Sequence, residues 1–178
     1  TAEEFARISE IVLMEVYYAC MQTNLELELT LLKPQMMMGG IDLPINQKPS
    51  KEELAKLTLQ VLRRRVPPAV PGIFFLSGGQ SEVEATINLD CINKLAYGNN
   101  FEEKKERCPW KLSFSFGRSL QGSVLKYWTD HLKENKMMAT SHKIKTCKNL
   151  VLELAKVNAE ASVGNYNFNE EGHPSILS

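Results

Sequence analysis

A lysine that closes an apolar run is the first place to look for chemistry. In Leu31-Leu32-Lys33-Pro34 the amine follows two leucines and precedes a proline. Desolvating an amine at the mouth of an apolar sheet favours its neutral form, and a neutral amine attacks a carbonyl to give a Schiff base. On spacing alone the pattern also fits a lysine that snorkels out at a strand end. Ser77-Gly78-Gly79 follows a second apolar run, Ile73-Phe74-Phe75-Leu76. Glycine lets a backbone approach an anion closely, so successive N–H groups there can hold a phosphate, aided by the positive end of the helix that starts near Ser81. Ser115-Phe116-Gly117-Arg118 ends a third run with a planar, permanently charged fork that suits a phosphate. Taken singly, the glycines fit a plain turn and the arginine a surface ion pair. Their coincidence at consecutive strand ends weakens both bland readings.

The elements that must position these groups follow from periodicity. Phe5, Ile8, Val12, Val16 and Ala19 recur at helical spacing, which predicts an amphipathic helix over 2–22 with that face inward. Residues 25–34 alternate and then turn fully apolar, which predicts a strand ended by Pro34. Residues 35–49 read as a loop, with Met36 to Met38 filling gaps. Ser50-Lys51-Glu52-Glu53 is a capping box that opens a helix running to Val66, where Pro67-Pro68 stops it. Arg63 to Arg65 complement the negative end of that helix. Residues 73–76 form a strand buried on both faces, and Ser81-Glu82-Val83-Glu84 caps a third helix. Residues 97–109, with the mixed charges of Lys104 to Arg107, read as a surface loop. Trp110 to Phe116 alternate as a strand, helices follow over about 119–132 and 143–162, and residues 164–178 read as a loose tail.

The order is helix, then strand–loop–helix three times, then one more helix. Strands alternating with helices predict a parallel sheet with right-handed crossovers. The pattern fits part of a (β/α)8 TIM barrel, an α/β fold that closes at eight strands and carries its active site at the strand C-termini. Three strand–helix units plus C-terminal helices are too few to close one. The first residue, Thr1, is not Met and no signal-like segment precedes the first helix, so the expectation is a chain entered part-way through a barrel: residues 1–163 its last part, 164–178 a tail.

Composition narrows the partners. Across 178 residues, 21 basic and 21 acidic side chains give no net charge, so there is no electrostatic case for nucleic acid or an anionic membrane. No apolar run approaches the ~20 residues that cross a bilayer. Four cysteines without CxxC spacing (Cys20, Cys91, Cys108, Cys147) and three histidines (His131, His142, His173) argue against a zinc site and fit free thiols in a reducing cytosol.

At this point the motifs resemble a family. Leu31-Leu32-Lys33-Pro34, the stretch from Leu62 through Arg63-Arg64-Arg65-Val66-Pro67-Pro68 to Gly72, Phe75 through Ser77-Gly78-Gly79-Gln80 to Glu82, Ala85 to Leu89, and Phe114-Ser115-Phe116-Gly117-Arg118 resemble, in order, the C-terminal half of class I fructose-bisphosphate aldolase. The resemblance implies a metal-independent cytoplasmic lyase without a cofactor, commonly a homotetramer. It would cleave fructose 1,6-bisphosphate reversibly to dihydroxyacetone phosphate and glyceraldehyde 3-phosphate. Lys33 falls on the family's Schiff-base lysine. Ser77, Gly78, Gly79, Ser115, Gly117 and Arg118 fall on positions that hold a substrate phosphate. The family usually has tyrosine at Phe116, glycine at Leu29 and asparagine at Gln35, and its tail ends in a tyrosine where this chain has Ser178. Its acid/base glutamate lies on a strand that would precede residue 1, so the 178 residues alone are expected to be inactive. A non-catalytic, aldolase-like binding scaffold is the alternative, on fold analogy alone.

Overall fold

The computed structural model describes residues 1–40, 42–98, 108–134 and 141–167. The charged residues Lys104 to Arg107, His173 and the closing Ser175 to Ser178 lie outside the described residues. Three strands, β1 (Leu31–Leu32), β2 (Gly72–Phe75) and β3 (Lys111–Phe114), form one sheet in the order β1-β2-β3. Both pairings are parallel, with Leu31 opposite Gly72 and Gly72 opposite Lys111. The helices are α1 (Ala2–Gln22), α2 (Lys51–Arg65), α3 (Glu82–Tyr97), α4 (Arg118–Glu134) and α5 (Ser141–Ala161). They form one connected layer, α1 on α2, α2 on α3, and α3 on α4 and α5.

Both capping boxes form as the sequence requires. Ser50 accepts from the Glu53 N–H while the Glu53 carboxylate accepts from Ser50 N, and Ser81 and Glu84 repeat the arrangement. Ile73, Phe75 and Leu112 then bury one sheet face against Leu59, Leu62, Leu89 and Ile92 of α2 and α3. Period-two alternation puts Leu31, Phe74 and Lys111 on the other face. Leu31 is 62% exposed there, so that face is open on β1.

The first helix keeps its predicted bounds but turns a different face inward. Ala2, Ala6, Leu13 and Tyr17 are buried, whereas Ile8, Val12 and Val16 are 47%, 53% and 43% exposed. The helix is apolar on both sides, and the small side chains of Ala2 and Ala6 allow close approach to its neighbours. Periodicity alone cannot choose between two apolar faces.

The first strand is shorter than its alternation suggests. Leu27–Leu29 form a 3₁₀ turn, closed by Thr30 N and Oγ1 both donating to Leu27 O. Extending β1 backward would require the N–H of Val70, the next group of the neighbouring segment that faces β1, and it donates instead to Pro67 O at 3.1 Å. Pro34 does not end the pairing either. Its carbonyl accepts from Leu76 N at 3.0 Å, and Gln35 bridges Leu76. Tyr97, assigned to a loop by its polar neighbours, instead completes α3 before Gly98 takes φ +78°.

Two tethers fix the helix layer. Glu10 on α1 accepts from Arg64 Nη1 at 2.8 Å and from Arg65 Nε and Nη2 at 3.2 and 3.1 Å. The Arg64 hydrogen bond, with Arg65 and both positive charges adding to it, holds the Glu10 carboxyl below the usual carboxylate range against a smaller opposing effect of burial. A depressed native pKa stabilises the fold above the unfolded value of about 4.3, and that contribution is lost as pH falls through the native value. Both arginines are well exposed, so the tether is worth no more than about 1 kcal/mol. Glu10→Gln is therefore expected to melt earlier than the parent at pH 7, and the gap in melting temperature should close below about pH 4. A gap that persists at pH 3 would assign the effect to packing.

The second tether holds the chain beyond α5. Gly164 takes φ +67°, after which Tyr166 N donates to Asp90 Oδ1 at 2.9 Å. Lys94 Nζ bonds both Asp90 Oδ2 at 2.6 Å and Tyr166 O at 2.9 Å. Asp90 and Tyr166 are buried, so residues 164–167 are anchored on α3 rather than loose, and the remainder of the predicted tail lies outside the described residues.

Candidate active site

Parallel pairing sends all three strands out at one edge of the sheet, and every residue singled out by the sequence lies there. Lys33 follows β1 directly and sits beside Phe74 in the continued register. Its side chain is exposed, and the described residues do not enclose it in the apolar mouth that the sequence suggested. The reason is the open face of β1: Leu31, two residues earlier on the same side, is uncovered as well.

Ser77-Gly78-Gly79-Gln80 forms a tight turn closed by Gln80 N donating to Ser77 O at 2.9 Å. Gly78 and Gly79 have φ +50° and +86°, the pair of a type I′ turn, which side chains other than those of glycine, asparagine and aspartate rarely tolerate. Ser77 is buried and Gly79 exposed. Beside the turn lies a cavity of about 140 Å³, lined in part by Gly39, Lys48, Gly78 and Asn88.

At β3, Ser115 N donates to Phe75 O at 2.9 Å and carries the ladder one residue past the strand. Gly117 O accepts from Leu120 N and Gln121 N, which starts α4 with Arg118 as its first residue. Ser115, Gly117 and Arg118 are exposed at the edge. Phe116, where the resemblance leads one to expect tyrosine, is buried and packs against Phe114 with ring centroids 5.4 Å apart.

The groups that hold this edge together escaped the sequence reading. Gln80 is buried, accepts from Asn88 Nδ2 at 2.7 Å, and points its own amide at Met36 Sδ, 3.5 Å away. Its carbonyl accepts from the buried Ser119 hydroxyl at 2.8 Å, which ties the glycine turn to the residue next to Arg118. Two residues on, the buried Glu82 accepts from Ser123 N and Oγ, joining α3 to α4. The only local signal was a polar residue, Gln80, directly after a glycine turn. Among the described residues, no three His, Cys, Asp or Glu side chains gather as metal ligands, and no helix is long and apolar enough to cross a membrane.

These features define a parallel α/β protein that brings an amine, a glycine turn and a guanidinium to one sheet edge. The family model described as glycolytic fructose-bisphosphate aldolase class-I matches residues 1–176. The chain is similar to a cytoplasmic fructose-bisphosphate aldolase isozyme of Cicer arietinum, 43% identical over 93% of this chain and 40% of the relative. It is similar also to a muscle-type fructose-bisphosphate aldolase of Lethenteron camtschaticum, 45% identical over 89% of this chain and 38% of the relative. A solved fructose-bisphosphate aldolase from Plasmodium falciparum, in complex with TRAP and a small-molecule inhibitor, superposes with a TM-score of 0.80. It is 36% identical and covers 95% of this chain and 43% of that one. The chain belongs to the class I fructose-bisphosphate aldolase family. It spans about two fifths of the length of the curated relatives it matches.

Proposed function

We propose that this chain forms the lysine-bearing part of a class I aldolase that cleaves fructose 1,6-bisphosphate reversibly to dihydroxyacetone phosphate and glyceraldehyde 3-phosphate. One observation carries the reading: a lysine, a type I′ glycine turn and an arginine leave three consecutive parallel strands at one edge. Gly78 and Gly79 offer backbone N–H groups, and Ser77, Ser115, Gly117 and Arg118 complete the cradle for one substrate phosphate. That phosphate orients the substrate carbonyl toward Lys33.

Lys33 then attacks the C2 carbonyl and loses water to give an iminium. The bond between C3 and C4 breaks with its electron pair moving into the iminium, so an enamine forms on Lys33 and glyceraldehyde 3-phosphate leaves. The C4 hydroxyl proton goes to an acid/base group, a role that no residue among 1–178 is given. Protonation of the enamine and hydrolysis release dihydroxyacetone phosphate.

The barrel reading is part of the same proposal. An all-parallel sheet ordinarily has both faces covered, and here, among the described residues, β1 pairs on one side only while Leu31 is open. A (β/α)8 barrel, with residues 1–163 as its last part and a tail beyond, supplies the missing cover. It also supplies the desolvation that Lys33 needs. A cytoplasmic homotetramer is the assembly that fits the family.

Borohydride reduction in the presence of dihydroxyacetone phosphate, on a full-length molecule in which these residues are joined to the rest of the barrel, tests the proposal. The expected product is a reduced adduct on one lysine, mapped to Lys33 by peptide mass. No adduct would move the assignment to a non-catalytic member of the family.

A further inference from the structure

The glycine turn contains two residues that are free to take almost any backbone conformation, yet both are left-handed. Something outside the turn must select that shape. On one side the selection is visible, since Gln80 is held by Asn88, Met36 and Ser119. On the other side the neighbour of Gly78 is Gln35. A Cβ placed on Gly78 would lie 2.6 Å from Gln35 Nε2, 2.7 Å from its Cδ and 3.1 Å from its Cγ. The glutamine side chain therefore occupies the space beside Gly78 that a side chain there would need.

Gln35 is itself fixed. It bridges Leu76 next to the ladder bond from Leu76 N to Pro34 O, and it lies two residues after Lys33. It also lines the cavity of about 140 Å³ beside the turn. Without its side chain, the cavity that Gly78 already lines would widen against the turn and give Gly78 room to collapse. We propose that Gln35 is a positioning residue that braces the Ser77–Gln80 turn by packing on Gly78, so that the strand bearing Lys33 and the phosphate-binding N–H groups move as one unit. The bracing stands on geometry alone, whereas its effect on phosphate rests on the reading of Gly78 and Gly79 given above.

The test uses the ¹⁵N-labelled chain, inorganic phosphate as probe, and the variants Gln35→Ala and Gln35→Met. Methionine keeps the length and bulk of the side chain but drops the amide. Without phosphate, the amide of Gln80 should exchange with solvent about tenfold faster in Gln35→Ala and close to the parental rate in Gln35→Met. Phosphate affinity, read from shifts of the Gly78 and Gly79 signals, should fall about tenfold in Gln35→Ala only, the scale on which displacing a binding group is felt. Parental exchange and affinity in Gln35→Ala would overturn the proposal. Loss of affinity in Gln35→Met with unchanged exchange would also overturn it, by showing that the amide touches the ligand. If phosphate shifts nothing in the parent, the phosphate reading falls, and the exchange rates still decide whether Gln35 braces the turn.

Discussion

Lys33→Arg should erase the borohydride adduct while leaving the fold intact. Arginine keeps the positive charge and most of the length of lysine, but its guanidinium stays protonated and cannot act as the neutral nucleophile that Schiff-base formation needs. Removing a covalent nucleophile costs on the order of 10⁴-fold or more, so trapping should fall to background. Stability should hardly change. Lys33 is exposed, and substitutions at such positions stay within about 0.5 kcal/mol. The informative competitor is Lys111, which is exposed on the same open sheet face at the opposite end of β3. An adduct that survives Lys33→Arg and maps to Lys111 would mean that the sheet carries a merely accessible amine, and the catalytic assignment of Lys33 would fail.

The largest loss of stability is expected at Trp110. This side chain is almost fully buried at the start of β3, and its indole Nε1 donates to Pro67 O at 3.0 Å. Its own carbonyl accepts from the Tyr97 hydroxyl, a phenol that burial pushes up to about 12. Trp110 thus pins the end of α3 and the Pro67-Pro68 corner to the same strand. Trp110→Ala removes a large buried ring and strands a carbonyl, at a cost of about 3–5 kcal/mol. Against a total stability of about 5–15 kcal/mol for an ordinary domain, that is enough to unfold a marginal one. Trp110→Phe, which keeps a ring and loses the indole donor, should cost about half as much or less. Urea unfolding followed by far-UV circular dichroism checks both. A loss below about 1 kcal/mol in Trp110→Ala would show that the corner is held by other contacts.

What was readable in advance was local. Ser50 with Glu53 and Ser81 with Glu84 each lie within one helical turn, so their capping geometry follows from four consecutive residues. The apolar run before Ser77 marks β2 without ambiguity, and strands alternating with helices dictate a parallel sheet whose ends share an edge. The unreadable part depended on partners far along the chain. The inward face of α1 was decided by what Ala2, Ala6, Leu13 and Tyr17 could meet, because Ile8, Val12 and Val16 satisfied the same periodicity. The length of β1 was decided by Val70 beside its neighbour, whose N–H is taken by Pro67 O. The bonds of Gln80 to Asn88, Met36 and Ser119 span 8, 44 and 39 residues, and no motif records them. Lys33 shows the limit most clearly. Its type and place were legible, whereas the desolvation that would make it reactive is not a property of its own segment.

The clamp of Tyr166 on Asp90 and Lys94 has a consequence for the order in which the molecule is made. It joins residues 76 apart, so α3 leaves the ribosome long before the backbone that will seal its outer side exists. Chains fold as they emerge, N-terminal parts first. Until Tyr166 arrives, Asp90 has Lys94 on its own helix and must wait for the Tyr166 N–H. The helix whose first turn follows the glycine loop is therefore finished by nearly the last of the described residues to be synthesised. A message truncated shortly before Tyr166 would yield a protein with every motif in place and α3 incompletely sealed.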